Sequence, residues 1–245
     1  MASYKGRRLV GAIIVLIGAV LLVSTVFVPW YSYQSKNTAP GGRTGTITLN
    51  SYPGFLDENG TIQCSSTGGI APPCPYSQTS YQEANYNNTG AIAETGFVLL
   101  AAGFLLGLVG ALLGLVYRGN ARRVAPAIIL TAIAVILAVV APVLFMAQLP
   151  GAQSNDIPAY HRPTSSGPWS SFFGSTSLTA PSGITENFSW GPGLGWYLSF
   201  AAFAILLVGL ILLLRYRKDP PEPAPVSTPS PAPAAATPQT TNTTP

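Results

Sequence analysis

From Thr95 to Tyr117 the chain reads TGFVLLAAGFLLGLVGALLGLVY, bounded by Glu94 before it and Arg118 after it, with no charge between. A stretch this apolar, lacking the period-two alternation of a barrel strand, folds as a helix in lipid. Its backbone N–H and C=O groups have no water to bond and must satisfy one another within the segment. About 20 such residues cross the hydrocarbon layer. Within the stretch, Gly103, Gly107, Gly110 and Gly114 follow one another at steps of four, three and four, and Gly96 lies seven before Gly103, so all five share one helix face. Helices in lipid associate by close packing, which small residues permit. The face is expected to pack on the first or third helix, which offer Gly11 and Gly18, and Ala127, Ala134, Ala138 and Ala141. Homodimerisation through the same face is the alternative.

Three more segments meet the same condition: Leu9 to Val28, Val124 to Met146 and Leu194 to Leu214. Spans are thus expected over 9–30, 91–117, 124–146 and 193–214, with a short connection at 118–123. The first resembles a signal peptide in its basic lead, but its run is longer than the 7 to 15 apolar residues of a signal and ends at Val28-Pro29-Trp30 with no small-x-small cleavage site. It is read as a retained helix. Pro126 falls in a first helical turn, where the missing N–H costs nothing, and Pro142 near the other end of the same span is expected to bend it.

The composition agrees. Of 245 residues, 48% are apolar and 8% charged, against about 25% charged in a soluble domain. So few charges, netting +4, fit a membrane protein and not a nucleic-acid binder. Orientation follows from the basic residues. Lys5, Arg7 and Arg8 in the amino-terminal 1–8, Arg118, Arg122 and Arg123 in the connection, and Arg215, Arg217 and Lys218 after the fourth span fall on one side. Lys36, Arg43 and Arg162 fall on the other. Both termini are expected in the cytoplasm of a cell whose plasma membrane the chain crosses four times.

Segments 31–90 and 147–192 then lie outside. In the first, Thr44 to Leu49 and Thr61 to Cys64 read as short strands, with turns at Tyr52-Pro53-Gly54 and Glu58-Asn59-Gly60. Cys64 and Cys74 are the only cysteines, both on the oxidising side, and a disulfide between them is the economical inference. Tyrosines 31, 33, 52, 76, 81 and 86 make this loop either a recognition surface or one that packs on itself. In the second, Trp169, Phe172 and Phe173 are expected to dock on the first loop, and the single histidine, His161, is read as solvated. Asn59, Asn87 and Asn187 each open a glycosylation pattern on this side. The tail, 215–245, carries nine prolines among alanine, serine and threonine from Asp219 onward and is expected to be disordered.

The fold class is thus an all-α membrane protein: a four-helix transmembrane bundle with a small β-containing outer loop domain and a disordered carboxy-terminal tail. With Trp30 opening the first outer loop and Cys64 and Cys74 spaced Cys-x9-Cys within it, the layout resembles the claudin and peripheral-myelin-type four-helix superfamily. Where claudins place Gly-Leu-Trp before the first cysteine, this chain has Gly60-Thr61-Ile62-Gln63. The resemblance implies a β-rich outer domain on a left-handed bundle, self-association in the membrane, and a role in contacts or as an accessory subunit.

The sequence carries no HExxH, Walker loop, nucleophile elbow or paired intramembrane carboxylates. No catalytic, cofactor or metal residues are assigned. The expected function is non-enzymatic: structural, adhesive or accessory, with the bilayer and another membrane protein or a second copy as partners. A channel or small-solute transporter, possibly oligomeric, is the alternative.

Overall fold

The computed structural model describes residues 4–53, 61–68, 78–80, 85–117, 124–157 and 166–215. Four helices are long and apolar enough to cross a membrane: α1 (Tyr4–Ser24), continued by one 3₁₀ turn (Thr25–Phe27), α2 (Asn87–Val116), α3 (Ala125–Asp156) and α4 (Leu194–Arg215). Their distribution of side-chain size is the inverse of a soluble bundle. Ile13, Ile17, Val20, Leu105, Val109, Ile133, Ile136, Val208 and Ile211 are exposed, while glycine and alanine line the contacts. Large apolar groups face outward where lipid would meet them, and small ones let the backbones close in.

The glycine face of α2 lies inside the bundle. A β-carbon built on Gly103 would stand 3.1 Å from Leu22 Cδ2 of α1 and 3.4 Å from Leu137 Cβ of α3; on Gly107, 3.2 Å from Ala19 Cβ and 3.6 Å from Ala134 Cβ. On Gly110 it would meet Thr131 Oγ1 at 2.7 Å, and on Gly114, Ala12 Cβ at 3.0 Å. One face therefore serves both neighbours. The α1–α4 contact is built likewise, with Gly18 against Leu206 (2.8 Å to Cγ) and Gly209 against Val15 (2.6 Å to Cγ2).

Three helices outrun their sequence-predicted bounds: α1 starts at Tyr4 and not at 9, and the other two do so together. α2 starts at Asn87 and not at 91, and α3 reaches Asp156 and not 146. The extra turns are polar, so a hydropathy criterion stops short of them, yet each end stabilises the other. Asp156 accepts from Asn88 N (2.9 Å), Asn88 Nδ2 (2.7 Å) and Thr89 N (2.8 Å), filling donors that the first turn of α2 leaves without intrahelical partners. Its charge also sits at the positive end of the α2 dipole. Asp156→Ala should cost about 1 kcal/mol, read as a lower melting temperature in detergent, while Asp156→Asn should recover part of it.

Beyond this end of the bundle stands one antiparallel sheet, ordered β4-β3-β2-β1-β6-β5. Its strands are β1 (Tyr31–Thr38), β2 (Thr44–Tyr52), β3 (Thr61–Thr67), β4 (Gln78–Ser80), β5 (Gly174–Thr179) and β6 (Thr185–Pro192). β2 and β3 extend the two strands expected from sequence. β1, β4, β5 and β6 were not expected. Because β1 pairs with β2 on one side and β6 on the other, the two inter-helix segments form a single sheet. Cys64 lies on β3 opposite Leu49. Cys74, Asn59, His161, the 118–123 connection and the tail from 216 lie outside the described residues.

Candidate interaction surface

Side chains alternate between the two faces of a strand, and here only one face carries the aromatic side chains. One carries Tyr31, Tyr33 and Ser35 of β1, Leu49 and Ser51 of β2, and Phe188 and Trp190 of β6, matched by register. Its bundle-proximal end closes over an aromatic collar. Tyr31 lies 5.4 Å from Phe172, Phe172 lies 5.7 Å from Trp196 and 6.2 Å from Phe145, and Phe145 meets Trp30 edge-on at 5.4 Å. Three indoles in and beside the collar bond backbone carbonyls: Trp30 to Thr25 (3.0 Å), Trp190 to Ser171 (3.1 Å) and Trp196 to Pro142 (3.0 Å). Each ring thus buries its apolar body while its one donor is satisfied. Phe172 docks as the sequence suggests, whereas Phe173 stays exposed.

The segments entering and leaving the sheet cross at this collar. Trp30 N donates to Ser51 O (2.8 Å), Gly193 N to Trp30 O (2.9 Å) and Gly195 N to Pro29 O (2.9 Å). Such an approach leaves no room for a side chain at 195, where a β-carbon would lie 2.5 Å from Trp30 Cδ1. Sequence reasoning missed Gly193, Gly195 and Gly209. A usable signal was the spacing Gly195, Ser199, Ala202, Gly209, which puts small residues on one face of α4.

The opposite face is almost wholly hydroxyl and amide: Ser32 and Gln34 of β1, Thr46, Thr48 and Asn50 of β2, Asn187 and Ser189 of β6, Ser175 and Ser177 of β5, with Lys36 the charge among them. Neighbours bond across strands, Ser32 Oγ to Asn50 Oδ1 at 2.9 Å and Gln34 Nε2 to Thr48 Oγ1 at 3.5 Å. A shallow hollow of about 430 Å³ is lined by Gln34, Lys36, Ser175, Ser177, Asn187 and Ser189. The face offers hydrogen-bond donors and acceptors at regular strand spacing. Among the described residues, no group of three histidine, cysteine or acidic side chains could hold a metal ion.

No family model and no curated protein matches the chain. Of the glycosylation positions within the described residues, Asn187 is exposed on the polar face, and Asn87 is exposed at the start of α2, where its partner Thr89 is buried. Glu94 is exposed on α2, and Gly96 contacts Trp30 at 3.7 Å from its would-be β-carbon.

On the inner face, Glu186 accepts a hydrogen bond from Ser35 Oγ at 2.5 Å. Burial, and then the nearby Tyr33, push the Tyr31 phenol well above its ordinary range. Burial, then Glu186 and Tyr86, do the same for Tyr33. Both stay neutral in the folded protein, whereas an unfolded chain would release these protons near pH 10. Deprotonation therefore favours the unfolded state, and stability is expected to hold below about pH 10 and to fall as pH rises beyond it. The Tyr31 hydroxyl is buried without a hydrogen-bond partner among the described residues. Tyr31→Phe should accordingly leave neutral-pH stability unchanged or slightly raised and flatten the alkaline loss, as followed by phenolate absorbance and melting temperature.

Proposed function

We propose that this chain is a non-enzymatic, four-span membrane protein whose external sheet binds another membrane protein or a second copy, in an adhesive, structural or accessory role. The observation that carries this reading is the fusion of both inter-helix segments into one sheet, packed on the helix ends by an aromatic collar and carrying a polar face opposite the aromatic one. Such investment in a fixed display surface suits recognition better than passage of a solute, and the bundle interior is filled by Val15, Leu22, Leu100, Leu206 and Leu213, all buried. In this reading both termini are cytoplasmic, the membrane is the plasma membrane, and Cys64 and Cys74 form a disulfide that ties β3 to the segment that follows it. The claudin and peripheral-myelin-type resemblance belongs to the same proposal, supported by the four spans and by a β-rich module at one end.

The test is compartmental. In sealed, right-side-out vesicles, protease should spare the tail after Arg215, and an impermeant thiol reagent should label Cys64 and Cys74 only after reduction. Tail cleavage in intact vesicles would overturn the topology, and labelling without reductant would remove the disulfide. Affinity isolation in mild detergent should then recover a stoichiometric partner or homomer.

A further inference from the structure

A sheet has two edges, and this one guards them unequally. β4, at one edge, is only three residues long. At the other, β5 pairs with β6 alone among the described strands, through an unbroken register from Gly174↔Trp190 to Thr179↔Thr185. Exposed edges in stable proteins usually carry a lysine, a proline, a bulge or an inward charge that blocks further pairing. The β5 sequence, Gly-Ser-Thr-Ser-Leu-Thr, carries no charge and no proline, and nearly all of it is exposed. Large apolar side chains stand exposed along the same margin: Phe173 (67%), Leu178 (44%) and Ile184 (38%).

The direction of the free backbone groups follows from the hairpin. Ala180 N donates to Ile184 O at 2.9 Å, so Ala180 turns its amide toward β6. Groups alternate along an antiparallel ladder. Ser175, Ser177 and Thr179 therefore turn N–H and C=O outward, and their side chains share the polar face.

We propose that β5 is a homophilic edge, pairing antiparallel about Ser177 with the β5 of a second copy anchored in a facing membrane. This rests on the external placement of the sheet proposed above. Only one register uses every outward group: Ser177 opposite Ser177, and Ser175 opposite Thr179 in both directions, each pair exchanging two hydrogen bonds. Thr176 then faces Leu178 across the two-fold at the closer, non-hydrogen-bonded spacing, covering an exposed leucine. The occupant is a second copy because the strand is complementary to itself. With no charge at any position, two copies do not repel, and hydroxyl-to-hydroxyl pairing of the kind already made by Thr179 and Thr185 (3.3 Å) repeats across the new seam. A symmetric contact of this kind is closed and yields a dimer.

The orientation is equally constrained. β5 begins beside Trp190 at the collar and ends at the β5–β6 hairpin, where Gly183 approaches Pro40 of the β1–β2 turn. It therefore leads away from its own bundle. An antiparallel partner leads the opposite way, which places its bundle at the far end of the joined strands. Copies in one membrane are related by an axis along the membrane normal, which would make the strands parallel.

The experiment uses full-length protein in separately prepared vesicles, one population bearing Ser175→Cys and the other Thr179→Cys. Oxidation after mixing should give a disulfide joining peptides 175 and 179, identified by mass spectrometry, with vesicle clustering. Ser177→Lys, which sets two ammonium groups opposite each other, should cut both at least ~tenfold while leaving the melting temperature unchanged. Ser177→Pro, which removes only an outward donor, should do the same. Product formed only when both variants share a vesicle would overturn the facing-membrane arrangement, and no product in either arrangement would overturn the edge. An impermeant thiol reagent separates these failures from that of the underlying topology. If it labels position 177 of the Ser177→Cys variant in intact right-side-out vesicles while pairing is absent, the edge proposal alone falls. If it does not label, the external placement falls first.

Discussion

Replacing Gly103, Gly107, Gly110 and Gly114 together by leucine is expected to leave no folded monomer in detergent. The would-be β-carbons already stand 2.7 to 3.2 Å from atoms of the neighbouring helices; at Gly107 and Gly114 these are alanine β-carbons and at Gly110 a backbone carbonyl, Ala127 O, lies 3.2 Å away, so at those three sites the neighbour cannot yield by rotating a side chain. Overpacking a well-filled site costs roughly 1–3 kcal/mol. Four such sites together cost about 4–12 kcal/mol, comparable with the whole stability of a folded domain, about 5–15 kcal/mol. Size-exclusion chromatography of a fluorescent fusion should show aggregate in place of a monodisperse peak. Gly96 supplies the internal comparison, because its would-be β-carbon meets only Trp30 Cζ3 at an ordinary 3.7 Å. Gly96→Ala should be neutral or stabilising by up to about 1 kcal/mol through helix propensity, whereas Gly110→Ala should lose about 1–3 kcal/mol. If the four-leucine variant stays folded and changes only its oligomeric state, the face joins two copies and not three helices of one.

The helices were legible because lipid imposes one severe rule: a spanning backbone must bond to itself, so an uncharged run of sufficient length has little choice. The spacing of the α2 glycines likewise announced a packing face and pointed to the first or third helix as its partner, where the fold has one face meeting both. The ends of α2 and α3 were harder to read, since Asn88 and Asp156 stabilise helix turns through a contact 68 residues apart. The sheet was the least legible. β1 reads Tyr-Ser-Tyr-Gln-Ser-Lys-Asn-Thr, and its alternation is visible only once Phe188 and Trp190 from the distant second segment are set beside Tyr33 and Ser35. Strand propensity is mostly a matter of what lies alongside. Of the tyrosines read as either a recognition surface or one that packs on itself, Tyr31 does the latter, buried in the collar. The residues that let the two segments cross, Gly193 and Gly195, carry no motif, because their role is set by the approach of another backbone.

That crossing gives the second large effect. Trp30 is fully buried, and Trp30→Ala should cost about 3–5 kcal/mol. It would empty the space between Phe145 and Gly195 and leave the Thr25 carbonyl without its indole donor. Gly195→Ala acts on the same space from the other side, driving a methyl to 2.5 Å from Trp30 Cδ1 and 2.8 Å from Nε1. The two losses should therefore not add. In the double variant the added methyl enters the cavity left by the indole, and the coupling energy should be at least about 1 kcal/mol. Relief stays incomplete because Thr25 O also lies 2.8 Å from the would-be β-carbon and, as backbone, cannot withdraw. The double variant is accordingly expected to melt near Trp30→Ala alone and well above the sum of the single effects. Strict additivity in that cycle would mean that Trp30 and Gly195 do not share a site, and that the sheet is held to the bundle by the aromatic rings around them instead.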